Sequence, residues 1–339
     1  MSTEARNQHD AGASGQRRQA VVLVNDLAPH ANALDWVAAC SHGLGPGVEV
    51  RLVRVTGFEA VRQAAAAAAQ AGVWLVISVG GDGTAMAVIN GIGSHPTRIC
   101  VLPGGTSNQL VYNLGQSFKI ADNVNALSQF QPIAIDAMRI NGIRFASLAL
   151  TGWMGDALIA YNRLRAKGAF WRSITRPFGP LPYFMIAFWL LRNPGALGGP
   201  MKFAYVDAQD NVKKTLEMDV HLFSLSGPPT INEGQTKLNS ASDMADGKLE
   251  VILIPRSTRM GLFRALGAMS KGDHGSIPGF QTFQTDRVEI TLGRKMDLCI
   301  DGEEIPYSDH CVVDFDPAPI LMLAPRGRKP GSRKLSNPL

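Results

Sequence analysis

Apolar and polar positions in the first third of the chain alternate between two rhythms. Short, β-branched apolar runs predict buried strands over Ala20–Asn25, Val48–Val55, Val73–Val79 and Arg98–Leu102. Between them, helical spacing predicts helices over Asn32–Cys40, Phe58–Ala71, the stretch ending near Gly91, and Asn108–Asn113. The second helix holds an unbroken alanine run, Ala64 to Ala69. Alanine is the best helix former and permits close packing on a sheet. Strands alternating with helices predict a doubly wound, mostly parallel sheet.

After Pro132 the pattern changes to short strand-like runs: Ile133–Ile140, Ile143–Leu150, Met201–Val206, Leu216–Ser224, Leu249–Ile254, Arg287–Leu292 and Met296–Ile300. Turn signals separate them, at Asn141-Gly142, Asp207–Asn211, Asp246-Gly247 and Gly293-Arg294. Asn-Gly between apolar runs predicts a tight hairpin. The fold class expected is an α/β N-terminal domain followed by a β-rich, antiparallel, sandwich-like C-terminal domain. The expected boundaries are a disordered lead over 1–18, an α/β domain over 19–132, a β-rich domain over 133–325 and a basic, disordered tail over 326–339. A ligand-binding α/β half beside a β-rich half predicts an active site between the two.

Two glycine turns carry the chemistry. Gly80-Gly81-Asp82-Gly83-Thr84 ends the third strand, and Pro103-Gly104-Gly105-Thr106-Ser107-Asn108 ends the fourth. Glycine lets backbone approach a ligand, and the N–H groups that open a helix attract phosphate. Asp82 would repel a phosphate unless it holds Mg²⁺, a water on Mg²⁺ or an acceptor hydroxyl. Either turn alone also fits a strand-to-helix connection that binds nothing. Two of them at successive strand ends point to one ligand crevice.

Charge changes the picture little. The net charge is +5, but Arg326, Arg328, Lys329, Arg333 and Lys334 leave a body of 28 basic and 28 acidic residues. A neutral body argues against nucleic acid as a partner, and the basic tail fits a solvated end or a contact with anionic lipid. Cys40, Cys100, Cys299 and Cys311 have no metal-ligand spacing. They fit a reduced, cytoplasmic compartment.

The order of motifs resembles the diacylglycerol kinase catalytic family, which includes bacterial lipid kinases and, more distantly, sphingosine and ceramide kinases. The resemblance runs from about Ala20 to Ala324. It takes in both glycine turns, Ile135-Asp136, Asn141-Gly142, Gly155-Asp156-Ala157, Asp246-Gly247-Lys248-Leu249-Glu250-Val251, Lys271-Gly272-Asp273-His274 and Asp301-Gly302-Glu303. It implies an ATP- and Mg²⁺-dependent kinase with a diacylglycerol-like, phosphatidylglycerol-like or sphingoid acceptor. The enzyme would meet its lipid substrate at the inner membrane face, and a homodimer stays open. ATP would lie on Thr56, Gly80, Gly81, Asp82, Gly83, Thr84, Ala85, Met86, Thr106 and Asn108. Glu303 would accept the hydroxyl proton and Asp82 would assist. Asp246, with carbonyls of Asp243 and Lys248, would hold a structural Mg²⁺. The first glycine turn also occurs in NAD kinases, whose acceptor is soluble, and a non-catalytic lipid- or nucleotide-binding relative is the third reading.

Three departures from the family stand out. Gln109 replaces an Asp, the first strand keeps only Asn25 of its usual ending, and Gly227–Asn232 replaces a glycine cluster. The stretch 168–192 is aromatic, with Arg163, Arg165, Lys167, Arg172, Arg176 and Arg192 around it. This predicts either an interfacial segment on anionic lipid or a core helix.

Overall fold

The computed structural model describes residues 17–105, 108–168, 170–171, 181–193, 197–228, 230–231, 236–237, 243–293, 296–305 and 309–325. The chain forms two compact units. One holds the described residues of Met1–Gly105, Gln116–Ile133 and Leu321–Gly327; the other holds those of Thr106–Gly115 and Ala134–Ile320. Two segments therefore cross a simple division near Pro132: one around the second glycine turn, and the last strand. The expected tail over 326–339 and most of the expected lead lie outside the described residues.

The first unit is built on a six-stranded sheet. Its strands are β1 (Arg18–Asn25), β2 (Val48–Val55), β3 (Leu75–Gly80), β4 (Arg98–Pro103), β5 (Phe130–Ile135) and β19 (Ile320–Pro325). The order is β2-β1-β3-β4-β19-β5, and β2, β1, β3 and β4 run parallel. Every residue of β3 is buried, which is why its sequence reads as a continuous apolar run. Helices α1 (Trp36–Leu44), α2 (Phe58–Gln70) and α3 (Asp82–Ile92) connect the strands. The first helix starts four residues later than its spacing predicts. Asp35 caps it by accepting from Ala38 N at 3.1 Å, so Asn32–Leu34 stay outside. A core of Val22, Val24, Trp36, Leu75, Ile77 and Leu102 forms on this scaffold.

Among its described residues the second unit is built on a branched antiparallel sheet of eleven strands, the sandwich-like half. Its central strand β10 (Lys213–Ser226) pairs along its first half with β9 (Gly199–Val206). Its second half lies between β8 (Leu148–Gly152) and β13 (Leu249–Pro255). A bulge between Val220 and Leu222 marks the branch. The Asn141-Gly142 hairpin forms as expected: both residues have positive φ, and Ile140 pairs with Ile143.

Two expected strands are broken, each by a carboxylate. The run Ile133–Ile140 divides into β5 and β6 (Met138–Ile140), which belong to different sheets. Asp136 leaves the ladder because its N–H donates to Met244 O at 2.7 Å and its carboxylate accepts from Gly247 N at 2.8 Å. The run Ile143–Leu150 divides into β7 (Ile143–Phe145) and β8, and its interrupting N–H groups go to Asp301.

Among the described residues, the helices α6 (Trp153–Ala166), α7 (Leu181–Leu190) and α8 (Arg259–Lys271) complete the framework of this unit. The short α4 (Gln109–Asn113) also groups here, and α5 (Ile120–Asn125) groups with the first unit. All four cysteines are buried free thiols. No helix among the described residues is long and apolar enough to cross a membrane.

Candidate functional site

The parallel register aligns four strand ends in the first unit. Asn25 pairs with Val55, Val24 with Val79, and Gly80 with Pro103. Both glycine turns therefore start on one rim, where parallel sheets bind ligands. They are also bonded to each other, since Gly104 N donates to Gly80 O at 2.8 Å. A Cβ on Gly104 would sit 2.8 Å from Gly80 N and 2.9 Å from its Cα. These glycines thus have a packing reason beside any ligand.

Asn25, the one residue retained from the usual end of the first strand, ties this rim together. Its amide donates to Thr84 Oγ1 at 3.1 Å, and its carbonyl accepts from Gly57 N at 3.3 Å. It links the ends of β1 and β2 to the first turn of α3. Gly81 is the N-cap of α3 and makes no side-chain cap. The helix opening offers N–H groups with no intrahelical acceptor. Asp82 occupies the first turn, where the helix dipole also favours a carboxylate.

Not every residue expected at this rim can contribute equally. Ala85 N already donates to Gly81 O at 3.0 Å, and the Ala85 and Met86 side chains are buried. Thr56 is exposed at the end of β2. Thr106 lies outside the described residues; Asn108 adopts the left-handed conformation at φ 48° and caps α4. Gln109, in place of the usual Asp, is buried and donates to Asn113 Oδ1 at 3.0 Å. A neutral amide suits that buried position better than a carboxylate.

We expect Gly104→Ala to destabilise the protein by about 1–3 kcal/mol through overpacking, because the obstructing atoms are backbone. Urea unfolding measures this, and nucleotide binding should weaken in parallel. Gly47→Ala, where a Cβ meets nothing within 4 Å, is the control.

In the second unit, β16 (Leu298–Ile300) and β17 (Glu303–Ile305) form a hairpin that carries Glu303. The turn is not the exposed acidic loop that its composition suggests. Asp301 is buried, with φ 44°. Its carboxylate accepts from Ala146 N at 2.8 Å, Ser147 N at 3.1 Å and Leu148 N at 2.8 Å. From α6, Asn162 donates to Gly302 O at 2.6 Å, and Arg163 pairs with Glu304 and Asp297. Arg163 is therefore engaged in ion pairs on this hairpin. Glu303 itself is half-buried, and burial pushes its carboxyl above the ordinary glutamate value. A carboxylate with raised proton affinity on an immobilised hairpin is suited to accept a proton.

The expected metal residues lie on the turn before β13. Asp246 accepts from Lys248 N at 2.9 Å and Asp243 from Ala245 N at 3.2 Å. Asp136 joins them, unassigned by the sequence motifs. Burial, then the charges of Asp246 and Asp243, raise its carboxyl above the ordinary value. Among the described residues no three such side chains converge as a metal ligand set. A hard cation here would need carbonyls and water as well, a donor set that suits Mg²⁺ or Ca²⁺.

Comparison with known proteins matches two separate stretches of the chain. Residues 19–140 match the diacylglycerol kinase catalytic domain, and residues 228–322 match the YegS C-terminal NAD kinase beta sandwich-like domain. A diacylglycerol kinase of Staphylococcus carnosus is 26% identical over 231 residues, covering 68% of this chain and 70% of that protein. One of Bacillus subtilis is 25% identical over 236 residues, covering 68% and 71%. A crystal structure of a candidate diacylglycerol kinase from Bacillus anthracis has the same fold, with TM-score 0.69 at 16% identity, over 93% of this chain and 98% of that one. Through residues 19–140 the chain resembles the diacylglycerol kinase catalytic-domain family, and the two relatives above carry that name at 25–26% identity.

Proposed function

We propose that this protein is an ATP-dependent lipid kinase that moves the γ-phosphate of ATP to a lipid hydroxyl. The observation that carries the reading is Glu303, a half-buried carboxylate with raised proton affinity on a hairpin fixed by Asp301. In the reaction the acceptor oxygen bonds to the γ-phosphorus, the bond to the bridging oxygen breaks, and ADP leaves. Glu303 takes the hydroxyl proton as the new bond forms. The opening turn of α3, from Gly80 to Thr84, binds the phosphates, and Asn108 borders the nucleotide from the second turn. Asp82 is the residue that would hold the Mg²⁺ of the nucleotide, and Asp246, with the carbonyls of Asp243 and Lys248 and with water, would hold a structural one. Bound Mg²⁺ would neutralise charge on the phosphate oxygens. The enzyme works at the cytoplasmic face of a membrane.

The relatives named diacylglycerol kinase make a diacylglycerol the first acceptor to test. The purified protein is given γ-labelled ATP and Mg²⁺ in mixed micelles containing diacylglycerol, phosphatidylglycerol, sphingosine, ceramide or soluble NAD. We expect label in one lipid, lowered about 10²-fold or more by Asp82→Ala, the size typical when a charge-stabilising group is lost. Label in NAD alone would move the protein to the soluble-acceptor branch. ATP binding without transfer to any acceptor would make it a binding protein.

A further inference from the structure

Helices α7 and α8 share one core, and among the described residues each also carries large apolar side chains that are exposed. Ala187 and Leu191, at the end of α7, are buried with Leu262, Ala265 and Met269 of α8. Trp153 locks α7 in place by donating from its indole N–H to Ala187 O at 2.7 Å. On the outward side, Leu181, Met185, Phe188 and Trp189 are 52–63% exposed. Their spacing of four, three and one residues is that of a single helical face. Met260 and Phe263 of α8 are exposed as well, and Phe263 meets Phe188 edge-to-face with centroids 5.7 Å apart. The two helices therefore present one continuous apolar surface of six large side chains. Soluble proteins seldom leave such a patch uncovered without a partner.

Charge selects the partner. Neither Leu181–Arg192 nor Arg259–Lys271 contains an acidic residue. Arg192, Arg259 and Arg264 are exposed, and Arg259 donates to Arg192 O, which brings two of them to one edge of the patch. Arg259 opens α8, where the helix dipole disfavours a cation. Arg256 is paired with Asp219 and is not counted. Aromatic and Met side chains with a basic rim match the boundary between acyl chains and anionic headgroups. At ten residues α7 spans about 15 Å and cannot cross a bilayer core of about 30 Å.

We infer that the outward face of α7 and α8 seats this protein on an anionic lipid surface, with the aromatic side chains inserted and the arginines at the headgroups. This deepens the kinase reading, which places the enzyme at a membrane, by naming the face that meets the lipid, although the face is argued from its own residues. It extends the aromatic stretch noted in the sequence to a second helix about 70 residues further on, and it adds Arg259 and Arg264 to the charges beside it.

The test uses the full chain without nucleotide, so the result does not depend on turnover. Cosedimentation is measured with vesicles of phosphatidylcholine alone and of phosphatidylcholine with phosphatidylglycerol. We expect binding to the anionic vesicles only, lowered at least about tenfold by Phe188→Ser with Trp189→Ser and Phe263→Ser. A second variant, Arg259→Gln with Arg264→Gln, changes exposed residues only and should lower binding by about fivefold per charge. Circular dichroism checks the fold of each. No binding of the parent to anionic vesicles, or unchanged binding in both variants, overturns the inference. A parent dimer in sedimentation that the aromatic variant dissociates, without vesicle binding, would assign the face to a second copy of the chain. Transfer to a short-chain, water-soluble diacylglycerol should survive in both variants. Its absence from the parent too would count against the kinase reading and leave the membrane result standing.

Discussion

Glu303→Gln should lower phosphate transfer by about 10²–10⁴-fold, the range for loss of a general base, while ATP binding is retained. The amide keeps the size and the hydrogen-bonding reach of the carboxylate and removes only its ability to take a proton. Its effect therefore falls on kcat, with KM for ATP little changed. The parent's pH profile gives an independent signature. Burial raises the Glu303 carboxyl above the ordinary value of 4.5, so the acid limb of kcat/KM should have its midpoint above that value. Below the midpoint Glu303 is protonated and cannot act.

Stability should move the other way. The folded protein holds the Glu303 proton more tightly than the unfolded chain. That contribution is fully present below the unfolded value and is lost as pH rises through the folded one. At neutral pH the parent carries the cost of an ionised, half-buried carboxylate that the glutamine variant lacks. Glu303→Gln should therefore unfold at equal or higher denaturant concentration, with the advantage growing as pH rises through that window. A loss of activity accompanied by a loss of stability would point to a structural role instead.

The α/β half was largely legible because its signals are local. A fully buried β3 must be a continuous apolar run, and Gly80 and Gly104 mark where it and β4 end. The second half was less legible because its structure depends on partners far along the chain. Asp301 meets residues 153 to 155 positions away, and Asp136 meets Gly247 across 111 positions. Nothing in the local pattern of Ile143–Leu150 shows that its middle is held by a distant carboxylate. The last strand, β19, is likewise returned to the first sheet, where Met322 aligns with Ile99. A β-run carries no record of which sheet it joins. Helix α8 shows the complementary difficulty. Its buried Leu262, Ala265 and Met269 give the expected spacing, whereas Met260 and Phe263 on its outward side blur the period.

The site's chemistry divides along the same line. The glycine turns and the Asp301-Gly302-Glu303 motif could be found by eye, but not which residue of each does what. Gly80 and Gly104 pack two turns closely together, which the ligand argument alone does not reveal. Asp301, which composition alone places on an exposed turn, is the buried anchor, and Glu303 projects from the strand that it anchors.

That division of labour makes Asp301→Ala the most disruptive single change expected in the second unit. It leaves the N–H groups of Ala146, Ser147 and Leu148 without their acceptor and puts alanine at φ 44°. Unmade bonds to a charged group and a left-handed non-glycine residue together should cost about 4 kcal/mol or more. Urea unfolding at neutral pH measures the loss. Asp301→Asn is the milder partner, because asparagine tolerates the left-handed region and keeps one acceptor oxygen. It should fold, and about half of the penalty should remain. Its kinetics separate anchoring from mere stability. A loosened hairpin lets water reach Glu303, so its proton affinity falls towards the ordinary value. The acid limb of kcat/KM should then shift to lower pH in Asp301→Asn as kcat drops. If kcat drops while the limb stays where the parent has it, Asp301 stabilises the sheet without setting the environment of Glu303.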